Sequence, residues 1–145
     1  MTVATILKSK GSHVATTTPD RTVNSVAWEL KVRNIGALVV VGDDGATILG
    51  LVSERDLVRG LTDHGPQLQA LPVSRLMTTP VLTCMPEERV TAVMARMTRH
   101  RVRHLPVVDR GRLVGIISIG DVVKFRLDEL ELEANVLRET LMVSH

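Results

Sequence analysis

Gly50-Leu-Val-Ser-Glu-Arg-Asp-Leu-Val-Arg59 returns 65 residues later as Gly115-Ile-Ile-Ser-Ile-Gly-Asp-Val-Val-Lys124, so the chain carries an internal duplication. A unit this short cannot bury its own apolar face, and two copies are expected to pack on each other. The seam between them is the natural place for a ligand.

The repeat extends well beyond those ten residues. Val23, Val26, Ala27 and Leu30 have the i, i+3, i+4, i+7 spacing of one helical face, and Val90, Val93, Met94 and Met97 repeat it 67 residues later. The same offset pairs Pro19 with Pro86, and Asn34-Ile-Gly-Ala-Leu-Val-Val40 with Arg101-Val-Arg-His-Leu-Pro-Val107. The offset falls to 65 because the first copy turns through Gly42-Asp-Asp-Gly45 and the second through the shorter Asp109-Arg-Gly-Arg112.

Each copy reads as strand, helix, strand, hairpin, strand, helix. Short β-branched runs at Val14–Thr18, Leu38–Val41 and Ile48–Ser53 match Val81–Met85, Leu105–Val108 and Leu113–Ser118. The expected fold is α/β in the α+β sense: two tandem β-α-β-β-α repeats related by a pseudo-two-fold axis, plus a C-terminal helix. The expected boundaries are 1–62 for the first repeat, 63–72 for a linker, 73–127 for the second repeat and 128–145 for a helical extension. Thr62-Asp-His-Gly-Pro-Gln67 is polar and carries Gly-Pro, as a linker should. Short pieces around Val3–Leu7 and Val73–Met77 read as helical lead-ins.

With 44% apolar residues but only Trp28 and Phe125 as aromatics, the core must be filled by Leu, Val, Ile and Met. Cys84 is the one cysteine, which excludes an intrachain disulfide. Without a leader pattern or long apolar span, a soluble, cytoplasmic protein is expected, with no membrane partner. A net charge of +2 argues against nucleic acid, although Arg96, Arg99, His100, Arg101, Arg103 and His104 fall within nine residues. Cations near a helix C-terminus are favoured by its dipole without any ligand, which accounts for Arg96, Arg99, His100 and Arg101. Arg103 and His104 belong to the next strand and point to opposite faces, so at least one should face the seam.

Leu105-Pro-Val-Val-Asp109 and Gly115-Ile-Ile-Ser-x-x-Asp121, in a tandem strand-helix-strand-strand-helix unit, resemble a pair of cystathionine β-synthase (CBS) domains, the Bateman module. The resemblance covers roughly Val3 to Leu127. Ser53-Glu-Arg-Asp56 and His100-Arg-Val-Arg-His-Leu-Pro106 are similar to the small stand-alone CBS-pair proteins of bacteria and plant organelles. It implies a regulatory module rather than an enzyme, and no activated nucleophile, acid and base pair or metal-ligand spacing is visible in the sequence.

Ser-x-x-Asp closes the third strand of each copy where the chain turns into a helix. Such a start offers free amides to a phosphate, and an ionised Asp can accept from both hydroxyls of a ribose. The same four residues also read as a capping box that needs no ligand. The duplication and the resemblance favour a nucleotide.

The resemblance implies that each site borrows from both copies. Ser118 and Asp121 would be joined by Thr18, Val23, Gly36 and Ala37. Ser53, Arg55 and Asp56 would be joined by Met85, Val90, Arg103 and His104. The implied ligands are AMP, ADP, ATP, NAD(H) or S-adenosylmethionine, with no obligatory cofactor, and the implied partners are a homodimeric copy and a protein effector. Arg103 has the donor fork that suits a phosphate. The alternative is a ligand-free assembly adaptor. Leu127, Leu130, Ala134, Leu137 and Leu141, spaced 3-4-3-4, read as a short coiled-coil seam supporting a dimer. Trp28, beside the apolar stripe of its helix, reads as a subunit contact or as the periphery of the core.

Overall fold

The computed structural model describes residues 1–143, so the last two residues of the expected extension, 144 and 145, lie outside the described residues. Helix α1 (Val3–Lys10) precedes strand β1 (Thr16–Thr17), helix α2 (Val23–Arg33), the hairpin β2 (Ala37–Val41) and β3 (Ile48–Ser53), and helix α3 (Glu54–His64). The second copy follows with α4 (Val90–His100), β4 (His104–Asp109), β5 (Arg112–Ser118) and α5 (Ile119–Val143). β2 runs parallel to β1 and antiparallel to β3, and β4 runs antiparallel to β5.

The two copies repeat each other down to backbone irregularities. Both hairpins carry a register shift at equivalent places, Val40/Val41 and Val107/Val108. Both α2 and α4 end on a left-handed residue, Asn34 at φ 53° and Arg101 at φ 55°. An asparagine accepts that conformation readily; an arginine does so at a cost, held here by the chain's need to turn directly into β4.

Three expected elements differ. The first strand of each copy is much shorter than its β-branched run: only Thr16 and Thr17 pair in the first copy, and a single parallel bridge, Cys84 with Val107, stands for it in the second. The Thr62–Gln67 stretch between the copies is helical rather than irregular: α3 runs to His64 and a 3-10 helix over Gly65–Ala70 follows, with Pro66 near its start and Leu68 buried. The second helical lead-in is shorter than expected, a single 3-10 turn over Val73–Arg75.

The lead-ins are exchanged between copies. Val3 and Ile6 of α1 are buried among Val90, Val93, Met97, Leu105, Ile117 and Val122 of the second copy. Reciprocally, Val73 is buried among Val26, Leu30, Leu38, Val40 and Val52 of the first. Two glycines 65 residues apart make room for the crossing. A Cβ on Gly115 would lie 2.7 Å from Leu7, and one on Gly50 would lie 2.6 Å from Met77. Fully burying an aliphatic side chain contributes roughly 1.5–3 kcal/mol, so each copy depends on its partner's lead-in for part of its core.

The exchange is not symmetric at its ends. After the second lead-in the chain becomes extended, and Thr78 forms an antiparallel bridge to Leu51 on the free edge of β3. After the first, α1 stays helical to Lys10, and only the Lys10 ammonium reaches the carbonyl of Ile116, the residue equivalent to Leu51, at 2.8 Å. α5 continues the last helix of the second copy without a break, and Leu127, Leu130, Leu132, Val136 and Leu137 on it are exposed. Trp28 is 65% exposed, which places it outside the core. No helix among the described residues is long and apolar enough to cross a membrane.

Candidate functional site

Two clefts open along the seam where β3 and β5 run into α3 and α5. The first, about 370 Å³, is lined by Ser53, Glu54, Arg55, Asp56 and Arg59 from the first copy, by Thr78, and by His100, Arg101, Arg103 and His104 from the second. The second, about 580 Å³, is lined by Lys10, His13, Arg33, Gly36, Ala37, His104, Ile116 and Ser118. His104 and Gly36 line both, so one thin wall separates the clefts; a Cβ on Gly36 would stand 3.0 Å from His104 Nε2.

Both Ser-x-x-Asp boxes form. In the first copy the Ser53 amide donates to Asp56 Oδ2 at 2.8 Å, and the Ser53 hydroxyl donates to the same oxygen at 3.1 Å. In the second the Ser118 amide donates to Asp121 Oδ2 at 2.8 Å and the Asp121 amide donates to Ser118 Oγ at 3.1 Å. Each carboxylate therefore caps its helix.

What else touches each carboxylate separates the two clefts. Asp56 Oδ1 accepts one bond from the neutral Thr78 hydroxyl, at 3.2 Å, and Asp56 lines its cleft. Asp121 Oδ2 is 2.6 Å from Lys10 Nζ, and Asp121 is not part of its cleft's wall. Partial burial pushes the Asp121 carboxyl up, but the Lys10 hydrogen bond and charge and the Ser118 amide outweigh it and hold the group below the usual range. A charge-assisted pair is roughly twice as strong as a neutral hydrogen bond. Of the two aspartates, Asp56 lines its cleft with only neutral partners, whereas Asp121 is tied to a cation.

Opposite Asp56, the wall is cationic. Arg55 Nη1 donates to the Arg101 carbonyl at 3.0 Å, tying α3 to the end of α4 across the seam. The basic run at the end of α4 divides: Arg96 is a structural group, donating to Glu88 at 2.9 Å and to the Thr83 carbonyl at 2.8 Å, whereas His100 and Arg101 face the cleft. Burial, with the nearby Lys10 charge, lowers the His104 pKa against the opposing pull of Asp121 and Glu54, which favours the neutral ring.

Among the residues expected at the sites, Ser53, Arg55, Asp56, Arg103 and His104 converge on the first cleft, and Gly36, Ala37 and Ser118 on the second. Thr18, Val23, Met85 and Val90 line neither. Val23 and Val90 open α2 and α4 and point into the two cores, Met85 is exposed, and the Thr18 hydroxyl donates to Asp20 at 2.7 Å. Sequence reasoning missed Thr78, Arg59, Lys10, His13 and Arg33. The signal for Lys10 and Thr78 was present: Val3 and Leu7 repeat as Val73 and Met77 at an offset of 70, which marks both lead-ins as parts of the repeat. Among the described residues no cluster of His, Cys, Asp or Glu could hold a metal. Cys84 is buried, its thiol pushed up to about 12 by desolvation and by Glu88 against the opposing Arg96 charge.

Comparison with known proteins agrees with the repeat. The CBS domain family model matches residues 7–63 and again residues 73–128. The chain is 35% identical over 131 residues to the mitochondrial CBS domain-containing protein CBSX3 of Arabidopsis thaliana, covering 85% of this chain and 63% of that longer relative. A CBS-domain-containing protein of Agrobacterium tumefaciens has the same fold, with a TM-score of 0.84 at 42% identity over 87% of this chain and 99% of that one. The CBS domain pair of protein MJ0100, whose crystal structure holds 5′-methylthioadenosine and S-adenosyl-L-methionine, matches with a TM-score of 0.77 at 25% identity over 89% of this chain and 98% of that one. With its duplicated unit, exchanged lead-ins and paired clefts, this chain belongs to the CBS-domain family, as a tandem pair.

Proposed function

We propose that the protein is a non-enzymatic sensor that binds an adenosine-containing ligand in the Asp56 cleft and transmits its occupancy through a homodimer to an effector protein. The observation that carries this reading is the pairing, across the seam, of a cleft-lining carboxylate on α3, free of any cationic partner, with a wall of Arg and His from the second copy. Asp56 would accept the ribose hydroxyls; Arg55, Arg59, Arg101 and Arg103 would meet phosphates. That chemistry suits AMP, ADP, ATP or NAD(H) better than an uncharged nucleoside. The adenosine compounds bound by the MJ0100 pair support the ligand class.

Because the lining comes from both copies, a ligand would favour the arrangement that brings α3 and β4 together, and the signal is a shift in that population. The completed capping boxes favour a second reading, a ligand-free adaptor whose aspartates only cap helices. Titration of the protein with AMP, ATP, NAD and S-adenosylmethionine, by calorimetry and by melting temperature, separates the two. Saturable heat with a raised melting temperature supports the sensor. No heat and no shift from any of them leaves the adaptor.

A further inference from the structure

Beyond Glu129 every residue of α5 as far as Val143 is exposed, so the helix runs about 20 Å into solvent and the body of the domain leaves it uncovered. Leu127 and Leu137 are 60% and 62% exposed, and Leu130 stands between them on the same stripe. A helix of this length is marginal alone in water, because the packing of an apolar face supplies most of a helix's stability. The stripe therefore calls for a partner helix.

The charges that flank the stripe identify that helix. With Leu127 and Ala134 at a positions and Leu130 and Leu137 at d positions, Arg126 and Glu133 fall at g, and Glu131 and Arg138 at e. Arg126 and Glu131 are five residues apart, as are Glu133 and Arg138, which is the offset at which g meets the partner's e in a parallel pair. Two copies side by side would thus join Arg126 to the partner's Glu131 and Glu133 to the partner's Arg138, opposite charges both times. The antiparallel arrangement that sets Leu127 against the partner's Leu137 instead gathers Glu131 and Glu133 of both helices about its midpoint, like charges together. Within the chain Arg126 holds Glu129 at 3.4 Å, and among the described residues Glu131, Glu133 and Arg138 form no ion pair.

We infer that α5 forms a parallel, in-register, two-stranded coiled coil with a second copy of this chain, its orientation set by the Arg126–Glu131 and Glu133–Arg138 pairs. Leu132 and Val136 face away from that seam. The inference rests on the homodimer of the proposed function, deepens it, and needs no ligand in either cleft.

Leu137→Cys in the otherwise native chain tests the orientation. In the parallel pair position 137 meets its own counterpart, so mild oxidation should link most chains into a disulfide dimer on a non-reducing gel. Val136→Cys, on the outer face, should link far less, and the buried Cys84 stays out of the reaction. Glu133→Arg sets two arginines together at each contact and should weaken dimerisation about tenfold in sedimentation equilibrium, since an exposed pair is worth roughly a few-fold and the two-fold axis repeats it. Adding Arg138→Glu to Glu133→Arg restores opposite charges and should recover the native constant. A native chain that stays monomeric at every concentration refutes the coil and the homodimer together. A native dimer in which Leu137→Cys links no better than Val136→Cys, or in which Glu133→Arg leaves dimerisation unchanged or tighter, keeps the homodimer and overturns the parallel coil.

Discussion

Ile6→Ala tests the exchange of lead-ins. Ile6 is 3% exposed and lies wholly within the second copy's core, although it is more than 80 residues from Val90 in the chain. Truncating a buried Ile to Ala costs about 2–5 kcal/mol, and the enclosure here favours the upper half, since Val3, Leu7 and the α4 residues surround the site and α1 is tied to Pro86 and Glu88 by backbone bonds that resist collapse. For a chain of this size each kcal/mol moves the melting temperature by about 3–4 °C, so a drop of roughly 10–20 °C is expected. Val32→Ala, at a 63% exposed position, is the control and should stay within about 0.5 kcal/mol of the parent. Thermal and urea unfolding followed by circular dichroism give both numbers. If Ile6→Ala melts within 2 °C of the control, α1 is not part of the second core, and the placement of Lys10 over Asp121 goes with it.

Arg103→Ala should weaken ATP by about tenfold or more while leaving adenosine nearly unchanged, because a guanidinium hydrogen bond to phosphate is worth roughly 1.5–3 kcal/mol; equal loss for both ligands in calorimetry would assign Arg103 to the fold instead. Asp121 has a folded pKa below its ordinary 3.8, so its ion pair adds stability that is present above that value and is lost as pH falls through the folded pKa. The melting temperature of the parent should therefore exceed that of Asp121→Asn at pH 7, with the gap closing below about pH 3.8; a constant gap would mean that Lys10 contributes no charge effect. Cys84, with its thiol near 12, should resist a disulfide-exchange reagent at pH 8 until the protein unfolds, and fast native labelling would contradict its burial. Truncation after Arg126 removes the exposed part of α5 and should keep a folded pair while lowering the mass seen by light scattering; an unchanged mass would exclude the tail from assembly.

The duplication was legible because it is a property of the string: Gly50 to Arg59 and Gly115 to Lys124 align without any coordinates. Local periodicity then placed α2 and α4 and both hairpins, since those elements are set by contacts between near neighbours, and Ser53 and Ser118 were recognisable as helix starts for the same reason. The short first strands were overestimated, because β-branched residues satisfy a strand pattern whether or not a neighbouring strand lies within reach along the whole run. Only the tertiary structure decided which copy each lead-in packs against. Val3 and Val73 look alike in sequence, and nothing local says that each will fill the other copy's core. The difference between the clefts follows from that crossing. The Ser-x-x-Asp boxes are the same in both copies, but the exchanged chain brings a neutral Thr78 to Asp56 and a charged Lys10 to Asp121, and a charge placed 2.6 Å from a carboxylate by long-range packing has no signature in the box itself.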